Sequence, residues 1–123
     1  MTTVVFCEDD LVIQHLIRVA TRSLPCTVHV VGDGALGLAT IEQEGASAVF
    51  TDLGMPILDG RHLIDALRSR PEFAAMPIVA MTAANLAPEE LEELLARGAT
   101  DVLAKPFGPS ELRAKLAQVL AVP

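Results

Sequence analysis

Acidic, hydroxyl and ammonium side chains follow short apolar runs at widely separated points of this sequence. Glu8, Asp9 and Asp10 come directly after Val4 to Cys7, and Asp52 comes shortly after Ala48 to Phe50. Thr82 follows Ile78 to Met81, and Lys105, itself followed by Pro106, comes after Val102 to Ala104. Brought together, these points would place three or four carboxylates, one hydroxyl and one ammonium in a single site. Two carboxylates about 4 Å apart repel by roughly 4 kcal/mol at an effective dielectric near 20, so Glu8, Asp9 and Asp52 are unfavourable neighbours when bare. A divalent cation relieves that repulsion, and an all-oxygen set with several carboxylates favours magnesium over zinc. A carboxylate nucleophile, a hard cation, an ammonium and a hydroxyl donor suit phosphoryl transfer, which needs positioning and charge neutralisation more than covalent chemistry. Taken singly, Asp9 or Asp10 could cap a helix, Asp52 could begin a turn, Thr82 could cap a loop, and Lys105 could be a solvated side chain. Their common place at the ends of apolar runs is what singles them out.

Those runs must be the elements that position the site. Val4 to Cys7, Val28 to Val31, Ala48 to Phe50 and Ile78 to Met81 are short and apolar on both faces, apart from His29, which marks strands of a parallel sheet covered on two sides. Val102 to Ala104 is a fifth, weaker candidate. Between them the spacing turns helical: Ile13, Leu16, Ile17, Ala20 and Leu24 form one stripe, Leu91, Leu94 and Leu95 another, and Leu112, Leu116, Val119 and Leu120 a third. Leu63 to Leu67 and Ala35 to Gln43 complete the set, the latter with an untidy stripe. Pro88 and Pro109 suit first helical positions, and Gly98 suits a helix stop. Strand and helix alternate five times, which predicts an α/β fold with one doubly wound sheet. In such a sheet ligands bind beyond the carboxyl ends of the strands, where the six polar residues lie.

The chain has 123 residues, 51% apolar and 20% charged, so a single domain with a sizeable core is expected over 1–123. Its net charge of −7, with no basic cluster, disfavours direct binding of nucleic acid. The two cysteines, Cys7 and Cys26, are too few for a disulfide framework or a zinc cluster, which fits a reducing cytoplasm. No segment is long enough to cross a bilayer, so no membrane association is expected. His15, His29 and His62 lack ligand spacing and are read as packing or surface residues.

One motif points elsewhere. Gly32-Asp33-Gly34-Ala35-Leu36-Gly37 is a literal GxGxxG after a strand and before a helix, with Asp52 twenty residues beyond Gly32, the written fingerprint of a dinucleotide site. A small nucleotide-binding module is therefore the alternative reading. It leaves Glu8, Asp9, Thr82 and Lys105 without a role. A phosphatase of the haloacid-dehalogenase type would need a second acid two residues after Asp52, where Gly54 stands.

The segments "VVFCEDD", "AVFTDLGMPILDG", "PIVAMTA" and "GATDVLAKPFGPSEL" together resemble the response-regulator receiver domain, the CheY-like family, from Val4 to about Leu120. The resemblance implies a flavodoxin-like, doubly wound five-stranded parallel sheet in the order 2-1-3-4-5 with five helices. It implies Asp52 as phospho-acceptor, Glu8 and Asp9 as the acidic pair holding magnesium together with Asp52, and the backbone carbonyl of Gly54 as a further ligand. Thr82 and Lys105 would contact the phosphoryl oxygens, and Lys105-Pro106 would be a cis bond. Met55, Pro56, Asp59 and Gly60 would shape the loop after the acceptor. The donor would be a phosphohistidine on a histidine kinase or histidine phosphotransfer protein. The domain would catalyse its own phosphorylation and dephosphorylation while serving mainly as a switch for an output partner.

Two departures from the family pattern carry expectations. Val102 stands where an aromatic residue commonly precedes the lysine by three, so output is expected through the fourth helix face or by phosphoryl relay rather than through a ring that swings inward. Gly54 and Ala84 carry no side chain able to orient water, which predicts a persistent phospho-form. Glu89, Glu90, Glu92 and Glu93 are read as a solvated acidic face near a helix start.

Overall fold

The computed structural model describes residues 2–120 and contains five strands, β1 (Thr3–Cys7), β2 (Thr27–Val31), β3 (Ala48–Asp52), β4 (Ile78–Ala83) and β5 (Asp101–Lys105). They alternate with α1 (Leu11–Thr21), α2 (Gly34–Glu44), α3 (Gly60–Arg68), α4 (Pro88–Arg97) and α5 (Pro109–Leu120). All neighbouring strands are parallel, in the order β2-β1-β3-β4-β5. This is the doubly wound α/β sheet that the alternation and the resemblance predicted.

Both faces of the sheet are covered, which is why its strands read as unbroken apolar runs. Val4, Phe6, Ala48, Phe50, Val79 and Met81 face Ile17 and Ala20 of α1 and Leu112 and Leu116 of α5. The alternate positions Val5, Cys7, Val49 and Ala80 face Ile41 of α2, Leu63, Ile64 and Leu67 of α3, and Leu94 of α4. The Phe6 and Phe50 rings sit 4.9 Å apart and tilted, joining the central strands on the first face. Burial raises the Cys7 thiol to about 12, so it behaves as a small hydrophobe.

Helix starts follow local chemistry. Asp10, Asp33 and Asp59 cap α1, α2 and α3 by accepting backbone N–H bonds from Val12 and Ile13, Leu36, and His62. Pro88 and Pro109 are the first residues of α4 and α5. α1 ends at Thr21, and Pro25, which disfavours helical backbone in Leu24, keeps the helix from running on to that residue; Leu24 still packs against the α1–α5 side of the core. A short 3-10 turn at Pro71–Phe73 had no counterpart in the spacing.

Chain direction across the sheet reverses between β1 and β3. After β1 the chain crosses to β2 on one side, and after β2 it returns to β3 on the other, which leaves a crevice outside the carboxyl ends of β1 and β3. Cys7 pairs with Thr51, so Glu8 and Asp52 emerge side by side into it.

Candidate functional site

Glu8 leaves β1 fully buried, Asp52 ends β3 half-buried, and Asp9 lies exposed at the rim. One carboxylate oxygen from each lies within 4.8 Å of the others. Lys105, the last residue of β5, places its Nζ 2.9 Å from Asp52 Oδ1, to which it donates a hydrogen bond, and 2.7 Å from Glu8 Oε1. At that distance the Lys105 ammonium is the partner that Glu8 Oε1 has in the interior, and Glu8 shares it with Asp52. The other Glu8 oxygen accepts the Asp10 amide at 3.1 Å.

Electrostatics follow from this crowding. Burial pushes the Glu8 carboxyl above its usual range, with Asp52 adding to the rise and the Lys105 ammonium and Asp10 amide opposing it. Burial alone would push Lys105 down, yet its contacts with Glu8 and Asp52 outweigh that and hold it above the usual lysine range. Lys105 therefore stays an ammonium. Three carboxylates against one ammonium still leave the site negative. A buried carboxylate that shares one ammonium with a second carboxylate, with a third at the rim, is a set of hard oxygen donors in excess of its counter-charge, and it fits a divalent cation of the magnesium class.

Among the remaining expected site residues, Thr82 is buried near the end of β4, one position beyond the Met81 that pairs with Asp52. Its hydroxyl donates to Ala83 O at 3.4 Å rather than to the carboxylates, so it borders the cluster without joining it. Gly54 lies exposed two residues after Asp52, with open space on its side-chain side. The Lys105-Pro106 bond is cis. Asp10 is the capping member of the acidic triplet.

Two features escaped the sequence reading. Gln14 is buried and donates from Nε2 to Glu8 O at 2.6 Å, pinning the backbone that carries Glu8. A signal was available: Gln14 shares a helix face with Ile17 and Thr21, a polar residue on a buried face. The second is a cleft beside Asp52 and Lys105 walled by Val12, Ile13, Leu16, Ala84, Pro106 and Phe107.

The GxGxxG segment does open α2, but two of its three glycines, Gly34 and Gly37, are turned to protein. A Cβ on Gly34 would lie 2.0 Å from Leu58 O, and one on Gly37 would lie 2.4 Å from the Cys7 Sγ. Both glycines permit close packing of α2 against β1 and the loop after β3, which leaves no cradle for a pyrophosphate there.

The profile of the family described as "Response regulator receiver domain" matches residues 4–117. The transcription factor SKN7 of Saccharomyces cerevisiae is 37% identical over 117 residues, covering 95% of this chain and 18% of that protein. RegX3 of Mycolicibacterium smegmatis, a sensory transduction protein, is 32% identical over 98% of this chain and 51% of its own length. The chain thus spans between about a fifth and a half of these relatives. Among solved structures, the chemotaxis response regulator CheY4 of Vibrio cholerae superposes with a TM-score of 0.90 at 28% identity, covering 98% of this chain and 99% of that one. The receiver domain of a sensor histidine kinase from Pseudomonas aeruginosa, with magnesium coordinated in its active-site cleft, gives 0.85 at 32% identity, covering 97% of both chains.

Proposed function

This chain belongs to the response-regulator receiver domain family, and from that premise we propose that Asp52 is the residue that takes up the phosphoryl group. Receiver domains take that group from histidine kinases or histidine phosphotransfer proteins, and they catalyse both its arrival and its loss. The observation that carries the assignment is the half-buried Asp52 carboxylate at the crevice, held at Oδ1 by Lys105 and flanked by Glu8 and Asp9. We take the chain to act as one receiver domain.

Asp52 Oδ2, which accepts no hydrogen bond from a described residue, is the attacking oxygen. It displaces the imidazole nitrogen of the donor phosphohistidine in line, and the electron pair of the broken P–N bond leaves with the imidazole. Lys105 holds Oδ1, orients the carboxylate, and stays charged to balance the phosphoryl oxygens. Thr82, released from Ala83 O, donates its hydroxyl to one of those oxygens. Glu8, Asp9, Asp52 and the Gly54 carbonyl would hold magnesium, which when bound neutralises phosphoryl charge. Phosphorylation adds about −1.5 to −2 charge, by analogy with other phosphorylated side chains, at the edge where β4 leads to α4. Val102 lies half-buried against the α2–α3–α4 side of the core, where it can follow Thr82 only slightly, so the change is carried by α4 or relayed onward as phosphate. Gly54, which has no side chain, and Ala84, which has only a methyl, leave attacking water unoriented and favour a long-lived phospho-form.

The net charge of −7 argues against direct contact with nucleic acid. No helix among the described residues is long and apolar enough to cross a membrane, and a cytoplasmic setting fits the two unpaired cysteines.

The test is incubation with phosphoramidate and magnesium, read by intact mass. Wild-type protein is expected to gain one phosphoryl group, Asp52→Ala none, and Lys105→Ala to react at least tenfold more slowly. Equal labelling of Asp52→Ala would overturn the assignment.

A further inference from the structure

The chemistry of the product limits the donor. An aspartyl phosphate is a mixed anhydride, so its phosphoryl group must come from a donor of comparable activation, such as a phosphorylated nitrogen (a phosphohistidine or phosphoramidate) or another acyl phosphate. Exchange with an acyl phosphate is balanced: an Asp52 oxygen bonds to phosphorus, the bond from phosphorus to the acyl oxygen breaks, and the carboxylate departs with the electron pair. No proton, oxidant or reductant is required.

The surroundings of Asp52 favour one kind of acyl group. Asp52 and Lys105 border a cleft of about 660 Å³ whose remaining wall is uncharged: Val12, Ile13 and Leu16 from α1, Ala84 after β4, and Pro106 and Phe107 after β5. This is the size range of a small-ligand site, and its make-up is typical of one, apolar walls with a few polar groups at one end. Val12 is 78% exposed, so the mouth presents apolar surface to water in the free protein. The arrangement is complementary to an amphiphilic anion, with the phosphoryl end at the Lys105 ammonium and the hydrocarbon along α1 and Pro106-Phe107.

We propose that this cleft is an acyl-binding site, through which hydrophobic acyl phosphates of several carbons phosphorylate Asp52 directly. The proposal rests on Asp52 being the phosphoryl acceptor. A macromolecular donor would cover the same wall with its own side chains and would give no dependence on the length of an acyl group.

The experiment compares phosphoramidate, acetyl phosphate, butyryl phosphate and hexanoyl phosphate as donors to the full chain with magnesium. The apparent kcat/KM is expected to rise roughly threefold to fourfold per methylene buried, levelling off once the chain outgrows the cleft. Val12→Asp is expected to bring the butyryl-to-acetyl ratio close to one; because both donors carry the same charge, the ratio cancels the added carboxylate. A reading without reaction comes from chemical shifts: hexylphosphonate is expected to move the signals of Val12, Ile13 and Ala84, and methylphosphonate to leave them in place. Labelling by phosphoramidate with a flat acyl series overturns the inference, as does a rising series that Val12→Asp leaves unchanged. Absence of labelling even by phosphoramidate is a failure of the Asp52 assignment itself.

Discussion

The two ends of the sheet are built on opposite terms. At the amino ends of β4 and β5, Arg68 closes α3 by donating to Gly98 O at 2.9 Å, Phe73 O at 2.7 Å, Ala74 O at 3.2 Å and Thr100 Oγ1 at 3.4 Å. One guanidinium thereby ties α3, the 3-10 turn and the link from α4 to β5, and Thr100 Oγ1 also accepts the Ile78 amide. At the carboxyl ends of β1 and β3, the buried Glu8 and the half-buried Asp52 share the single Lys105 ammonium, and carboxylates crowd together. Nearby, Ile57 holds a φ of +69°, while Leu58 N donates to Pro56 O at 2.8 Å around it, a γ-turn of the strained kind. Among the described residues the three most exposed large apolar side chains, Leu11, Val12 and Ile57, flank that same end. One end satisfies its polar groups to hold the sheet together, and the other keeps crowded carboxylates, exposed apolar surface and a strained turn where a phosphoryl group and a donor would meet them.

If that contrast is right, damage to the satisfied end should cost the most stability and leave the chemistry alone. Arg68→Ala removes several charge-assisted hydrogen bonds and strands their carbonyls, and it is expected to lower unfolding stability by about 2–3 kcal/mol in urea titrations. Phosphoramidate labelling of the folded fraction should be unchanged, and a loss of labelling in step with stability would blur the division between the ends.

Changes at the crowded end should run the other way. Glu8 has a raised carboxyl, so the fold binds its proton more tightly than the unfolded chain does. The stability this contributes is complete below about pH 4.5 and is lost as pH rises through the raised value. Glu8→Gln is therefore expected to stabilise the metal-free protein at pH 7 by on the order of 1 kcal/mol. That gain should vanish in acid, and the variant should lose the rise in Tm that magnesium gives the wild type. A destabilised variant at neutral pH would mean that the Lys105 pairing outweighs burial.

The smallest effect is expected at the turn. Ile57 is 83% exposed and buries little, so Ile57→Asn, a residue that tolerates left-handed backbone, should raise stability by about 1 kcal/mol or slightly less. Thermal melts that show a loss would indicate that the Ile57 side chain supports the loop.

The strands and helices were legible because continuous apolar runs and 3.6-residue stripes answer to a sheet covered on both faces. The acidic cluster was legible because its members sit at strand ends, and the topology gathers strand ends. Arg68 could not be read in this way: its acceptors include two backbone carbonyls close in sequence and a carbonyl and a hydroxyl some thirty residues distant, which no local pattern announces. Ile57 carries no mark of left-handed backbone either, since a β-branched residue argues against it. The glycines of 32–37 matched a ligand motif by type, and only three-dimensional packing against Leu58 and Cys7 reveals what the missing side chains of Gly34 and Gly37 make room for.

The central claim is that the phosphoryl group is stored on Asp52 with the help of a divalent cation. Borohydride reduces an aspartyl phosphate to homoserine, so peptide mapping after phosphoramidate treatment reads the position directly. The account predicts homoserine at position 52, at no other acidic residue, and only when magnesium is present. Homoserine at Asp9 or Asp10, or at position 52 in the presence of a chelator, would contradict it.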